Sequence, residues 1–333
     1  MWWLIFTLFV AKNVASNPGL APEIKLRDGY LMPTFGLGTW LGVTKEGSLN
    51  EVQDDSVEKA VEAAIDSGYR HIDTASLYKT EPQVGKAIDK KIKEGVVTRE
   101  EVFVTTKLWG DQHAKEQVVP ALKSSLRNLT MDYLDLYLIH FPVATKGLSF
   151  IPDDTDYLET WHGMIEAQKQ GLTRSIGVSN FNEEMIERLI RETGVTPAVL
   201  QIEIHLNLQQ PNLLKYCRER DIAVMGYTPF GALFPSKAAS GAPPPRIDDP
   251  ALVKIANKYN KTVPQVVLRY IFELGVVAIP KSVKASRIRE NIDIFDFSLS
   301  DEDKQLLRSY DANYRTTTVP FWKDHPYYPF KPW

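Results

Sequence analysis

Arg70-His71-Ile72-Asp73-Thr74-Ala75-Ser76-Leu77-Tyr78 begins as a short apolar alternation, reads as a strand, and ends on an aspartate. A tyrosine follows five positions later in a polar turn. Two later stretches are built alike: Val102–Thr106 runs into Lys107, and Tyr133–Ile139 runs into His140. Three buried strands thus carry Asp73, Lys107 and His140 at their C-terminal ends, with Tyr78 just beyond the first. In a parallel barrel all strand C-termini share one face, where active sites are built. A tyrosine beside a lysine and a histidine is an acid–base arrangement. A nearby cation favours phenolate, so this pattern predicts a lowered Tyr78 pKa.

Outward from this stretch, strands and helices alternate at a spacing suited to βαβ units. Asp-Gly at Asp28-Gly29, between Glu23–Leu26 and Tyr30–Met32, predicts an N-terminal hairpin. Thr34–Trp40 reads as the first barrel strand, and its glycines imply close approach by a neighbour or ligand. An amphipathic helix is predicted over 54–67, stopped by Gly68. Helices near 81–93, 115–128, 157–170, 183–193 and 210–220 alternate with strands 102–106, 133–139, 173–178, 198–204 and 222–227. An irregular stretch, 232–249, follows the seventh strand, and long loops inside compact domains are usually functional. Helices 250–259 and 263–274, strand 276–279 and helices 286–294 and 300–310 close the repeats. Ser300 and Asp303 have capping-box-like spacing. The aromatic, proline-rich tail from Arg315 reads as coil. Eight strand–helix repeats predict an α/β fold, a (β/α)8 TIM barrel. A doubly wound open sheet is the alternative, but no G-x-G-x-x-G follows the first strand.

Composition agrees with a single large domain. The chain has 333 residues, 44% hydrophobic and 24% charged, with a net charge of -3. That balance excludes nucleic-acid binding by bulk charge. The single cysteine, Cys217, allows no intrachain disulfide, and the scattered histidines argue against a metal site. Trp2–Ala11 is an apolar run that would span about 15 Å as a helix, half a bilayer core. With Val14-Ala15-Ser16 behind it, the run reads as a signal peptide over residues 1–16, leaving 17–333 as the barrel and a secreted chain; a cytoplasmic protein is the alternative. Two glycosylation sequons begin at Asn128 and Asn260.

The runs HIDTASLYKTEPQVGKAI, TTKLW, LDLYLIHFP, SIGVSNF, QIEIHLNLQQ and IPKSVKASRIREN stand in one order over roughly residues 24–318, and together they resemble the aldo-keto reductase superfamily. The resemblance implies that Asp73, Tyr78, Lys107 and His140 form the catalytic tetrad. Residue chemistry gives each a role: Tyr78 donates a proton to the developing alkoxide, Lys107 supplies charge, Asp73 holds Lys107, and His140 orients the carbonyl. By the same resemblance, His140 in place of glutamate implies carbonyl rather than steroid double-bond reduction.

A hydride must come from a cofactor, since no side chain donates one. Ser179, Asn180 and Gln201, at the ends of strands five and six, can hydrogen-bond a carboxamide. Lys281, Ser282 and Arg287, near a helix N-terminus after strand eight, read as a phosphate site. By resemblance these residues grip a nicotinamide and an adenosine 2′-phosphate, Tyr227 stacks on the nicotinamide, and Thr39, Trp40, Asp73 and Asn291 complete the cofactor contacts. The implied cofactor is NADPH. Trp40, Trp109, His140 and Phe141 are expected to line an apolar pocket for a small-molecule carbonyl substrate, completed by the 232–249 loop and the tail. The leader and tail also resemble insect secreted reductases acting on 3-dehydroecdysone. A monomer is expected, and the apolar run is too short for a membrane span. A non-catalytic NADPH-binding barrel is the competing function; a barrel hydrolase is disfavoured because no paired carboxylates occupy successive strand ends.

Overall fold

The computed structural model describes residues 21–43, 50, 54–148 and 150–330. The leader expected at residues 1–16 lies outside the described residues.

The Asp-Gly turn does form a hairpin: β1 (Glu23–Lys25) pairs antiparallel with β2 (Leu31–Pro33), and Gly29 adopts the positive φ that the turn needs. Eight parallel strands follow: β3 (Leu37–Gly38), β4 (His71–Asp73), β5 (Phe103–Leu108), β6 (Leu134–Ile139), β7 (Thr173–Ser179), β8 (Val199–Glu203), β9 (Ala223–Tyr227) and β10 (Val276–Ala278). Each pairs with its sequence neighbours, in order from β3 to β10. Parallel bridges Phe35 to Ala278 and Gly38 to Lys281 join the first strand region to the last. The eight strands and their helices match the (β/α)8 architecture.

The first barrel strand is far shorter than the predicted Thr34–Trp40. It lies where the chain crosses from the hairpin into the wall, and a Cβ added at Gly36 or Gly38 would stand 3.0 Å from His71 or the Ile279 carbonyl. The remaining elements fall within a residue or two of expectation. The helices in chain order are α1 (Ser56–Asp66), α2 (Glu81–Lys93), α3 (Lys115–Leu129), α4 (Tyr157–Lys169), α5 (Glu183–Thr193), α6 (Pro211–Glu219), α7 (Pro250–Tyr259), α8 (Val263–Glu273), α9 (Ala285–Ile292) and α10 (Asp301–Arg308), with Ser300 as the N-cap of α10 accepting from the Asp303 amide.

The strands are buried along their length because helices cover the outside and side chains fill the inside. One exception explains itself. Asp135, in the otherwise apolar β6, is buried but bonded to Arg99 and Arg174 at 2.8 and 3.0 Å and to the Val104 amide. Outside the wall, helix contacts are tight: Gly85 of α2 lies so close to α3 (Lys115–Leu129) that a Cβ would sit 2.3 Å from the Leu129 carbonyl oxygen. The packing therefore decides this residue against the helix propensity of alanine. Among the described residues no helix is long and apolar enough to cross a membrane.

Candidate active site

Asp73 is the last residue of β4, Lys107 lies near the end of β5, and His140 directly follows β6. The fold therefore brings three side chains separated by up to 67 positions into one cluster at the strand ends. Tyr78 arrives on a 3-10 turn, Ser76–Tyr78, which Ser76 pins by donating to the Lys107 carbonyl at 3.0 Å. Lys107 is fully buried. Its Nζ donates to Asp73 Oδ1 at 2.6 Å, to the Thr74 carbonyl at 2.9 Å and to the Tyr78 hydroxyl at 3.3 Å. The His140 ring stands edge-on to Tyr78 at 5.5 Å. The four expected catalytic residues are thus together.

Electrostatics corrects one expectation. The Tyr78 pKa is pushed well above 10, not lowered. Burial is the largest cause, with the Asp73 carboxylate and Tyr227 acting the same way. A phenolate would have to lose its water and sit near a carboxylate, and a lysine already paired with that carboxylate does not offset this. Burial also lowers the Lys107 pKa against the opposing pull of Asp73. His140 is held well below 6.5, first by burial and then by Lys107 and His113. At neutral pH the site therefore presents a protonated phenol beside a neutral imidazole, the state a proton donor to a forming alkoxide requires.

The polar groups expected to hold a nicotinamide are joined to the tetrad. Gln201 Nε2 donates to Asp73 Oδ2 at 2.8 Å. Asn180, which adopts a positive φ, donates from Nδ2 to the His140 carbonyl at 2.9 Å and to Ser179 Oγ at 3.1 Å. Tyr227 donates to Asn180 Oδ1 at 2.7 Å. Thr39 is buried; its Oγ1 donates to the Asp73 carbonyl at 3.0 Å, so it braces the end of β4. A flat carboxamide matches this donor and acceptor set, provided it exchanges with the internal amide contacts.

Farther out, Lys281 and Ser282 precede α9 (Ala285–Ile292), which carries Arg287 and buried Asn291. Ser282 Oγ accepts from the Lys284 amide at 3.1 Å. The Lys281 pKa is lowered by partial burial and by the nearby Lys237. Among the described residues neither Lys281, Lys237 nor Arg287 makes an ion pair, which leaves this corner positively charged. Such an unneutralised cluster beside a helix start fits a phosphate. Lys237, from the loop after β9, had no signal in the sequence.

The pocket wall is more aromatic than the sequence suggested. Trp40 packs on Tyr78 at 4.8 Å, and Trp109 on His140 at 5.3 Å. Phe141 stacks on His140 at 5.6 Å. Two residues were missed. Trp322 of the tail is buried 5.3 Å from Phe141 and 6.1 Å from Trp109, and its indole N–H donates to the Phe150 carbonyl at 2.8 Å. Phe150 lies 6.0 Å from Trp109. The aromatic richness of the tail was legible, but which ring would turn inward was not. Among the described residues no group of His, Cys, Asp or Glu could hold a metal ion.

A parallel barrel with a buried Asp–Lys pair, a protonated phenol and a neutral imidazole at its strand ends defines an oxidoreductase of the carbonyl-reducing kind. The model of the aldo/keto reductase family matches residues 34–312, and the chain belongs to that family. Aldo-keto reductase AKR2E4 of Bombyx mori is 50% identical over 309 residues, 93% of this chain and 98% of that protein. Aldo-keto reductase family 1 member C18 of Rattus norvegicus is 40% identical over 320 residues, covering 92% and 97%. The crystal structure of Bombyx mori AKR2E4 in complex with NADP superposes with a TM-score of 0.88, at 50% identity, covering 93% of this chain and 99% of that one. AKR2E5 complexed with NADPH gives 0.89 at 44% identity, covering 93% and 94%.

Proposed function

We propose that the chain reduces an apolar ketone or aldehyde with NADPH, as a monomer. Hydride comes from the nicotinamide and the proton from Tyr78. The observation that carries the substrate class is the aromatic wall beside the tetrad: Trp109 and Phe141 pack on His140, Trp40 packs on Tyr78, and Phe150 and Trp322 back Trp109. Such a wall favours rings and alkyl chains and penalises ionic substrates, whose charge would lose water without gaining a partner.

In this reading Lys281, Ser282 and Arg287 would hold the 2′-phosphate, with Asn291 nearby. Ser179, Asn180 and Gln201 would hold the carboxamide, and Tyr227 would support the ring. When bound, the cofactor supplies the hydride. Asp73 keeps Lys107 in place, Lys107 holds the Tyr78 hydroxyl, and His140 orients the carbonyl oxygen toward that hydroxyl.

A ketosteroid such as 3-dehydroecdysone is the particular substrate we propose. The 50% identity to a silkworm aldo-keto reductase supports an insect-type setting for it. Steady-state reduction of 3-dehydroecdysone, simple aldehydes and charged keto acids with NADPH tests this. A higher kcat/KM for the keto acids would reject the apolar pocket, and inactivity on the ecdysteroid alone would reject only that substrate.

We further propose that residues 1–16 are removed and the chain is secreted. Both sequon asparagines are exposed, Asn260 in the left-handed C-cap of its helix and Asn128 with its amide donating to buried Glu81 at 3.0 Å. N-terminal sequencing of native protein decides this: a soluble chain that begins at Met1 or Trp2 would reject removal.

A further inference from the structure

We propose that Glu203 is a positioning residue that ties the C-terminal tail, and through it Trp322, across the mouth of the substrate pocket. Glu203 ends β8, two residues after Gln201, and is fully buried. A buried carboxylate needs a cation or several donors, and most of these donors come from the tail. Oε1 accepts from the Thr316 amide at 2.7 Å and from the Thr316 hydroxyl, and Oε2 accepts from the Thr317 amide at 2.9 Å. His205 Nε2 lies 2.9 Å from Oε1, and the Arg315 guanidinium stands 3.9 Å from Oε2. Burial alone would raise the Glu203 pKa, but the bonds from His205 and Thr316 hold it below 4.5.

The neighbouring segment is fastened as well. The amides of Ala312 and Tyr314 donate to the Asn207 carbonyl at 3.1 and 2.9 Å, and Gln210 Nε2 donates to the Glu203 carbonyl at 2.7 Å. The tail then turns at Val319, with a positive φ, into the 3-10 turn Pro320–Trp322. Trp322, five positions beyond Thr317, lands against Trp109 and Phe141. Two of the Glu203 bonds come from main-chain N–H groups. They would hold a tail of another sequence equally well, which leaves the tail side chains to shape the pocket. Glu203 itself touches no reacting atom; its effect reaches substrate through the tail.

The substitution Glu203→Gln keeps the shape but removes the charge and turns an N–H₂ toward a donor. Charge-assisted hydrogen bonds are strong enough that losing them should release the segment roughly ten-fold or more. Limited proteolysis of the full chain should then cut within 312–322 at least about ten-fold faster. KM for a bulky apolar ketone should rise about ten-fold, with kcat held within about two-fold and NADPH affinity changed far less. In a double-mutant cycle with Trp322→Ala, the two KM effects should not multiply.

Unchanged cleavage in Glu203→Gln, or independent KM effects, would overturn the proposal. So would KM and NADPH affinity weakening together, as a general loss of structure would cause. Should Glu203→Gln fail to fold, Thr316→Pro, on the exposed tail, removes both Thr316 donors, amide and hydroxyl, from the other side and is expected to speed cleavage in the same place; unchanged cleavage there would equally overturn the proposal. The kinetic half rests on the reductase reading, whereas proteolysis does not. Absence of turnover with every carbonyl would therefore reject that reading while the cleavage result still decides the latch.

Discussion

Removing one oxygen at Tyr78 separates chemistry from packing. The Tyr78 ring is held by Trp40 at 4.8 Å, by His140 at 5.5 Å and by the Lys107 ammonium 4.8 Å from its centroid. All three contacts survive in Tyr78→Phe. The hydroxyl itself makes a bond of 3.3 Å to Lys107, at the long end of useful geometry, and Lys107 keeps its shorter bonds to Asp73 and Thr74. The stability change should therefore be within about 1 kcal/mol. The loss of activity should be far larger. A positioned general acid contributes about 10²–10⁴-fold, equivalent to about 3–5 kcal/mol of barrier. Single-turnover reduction by the NADPH-loaded variant, with NADPH affinity and thermal melting measured alongside, checks both halves. A variant that keeps more than about half the wild-type single-turnover rate would show that another group donates the proton. A variant that loses stability and cofactor affinity together would show that the hydroxyl is structural.

Four further outcomes follow from the same geometry. Asp73→Asn strands the fully buried Lys107 ammonium and places an amide N–H₂ against Gln201 or Lys107; breaking a buried pair costs about 3–5 kcal/mol, so both melting temperature and turnover should fall, and an unchanged melt would refute the role of the pair. Arg287→Ala should weaken NADPH binding about ten-fold or more and leave NADH binding almost unchanged, as read by fluorescence titration; equal losses would reject a phosphate contact. Gly85→Ala gains about 1 kcal/mol of helix propensity but drives a Cβ to 2.3 Å from the Leu129 carbonyl oxygen, so it should melt lower, and a higher melting temperature would contradict the tight α2–α3 contact.

The fourth concerns acid. Burial depresses His71 to about 4, His113 to about 3 and His140 well below 6.5. Below about pH 6.5, and down to those depressed values, the unfolded chain binds these protons and the folded chain does not. Stability should therefore be greatest above that pH and fall as pH drops, by roughly 2.5 kcal/mol per unit near pH 5 from His71 and His113, with His140 acting in the same direction. Denaturant titrations across pH 4.5–7 (about one unit apart at most) check the slope, and a flat profile would refute neutral buried imidazoles.

The repeat of strands and helices was legible because each element carries its own local signal. The period of apolar residues, the glycine after a helix and the Ser300 cap all act within a few residues. The Asp73, Tyr78, Lys107 and His140 cluster was legible for a topological reason: parallel strands of a barrel place all their C-terminal ends on one face, so residues far apart in sequence must meet there. The first strand is shorter than Thr34–Trp40, but the close approach that its glycines imply is there: a Cβ at Gly36 or Gly38 would stand 3.0 Å from His71 or the Ile279 carbonyl.

What the tertiary structure alone decided are the quantities that depend on surroundings. The direction of the Tyr78 pKa is set by burial and by Asp73, and the lysine that looked decisive in sequence is already committed to that carboxylate. Glu203 and Thr316 are 113 residues apart, and Trp322 and Phe150 are 172 apart. No periodicity connects such pairs. Only the folded barrel, by bringing the tail back across the strand ends, makes one a latch and the other a wall.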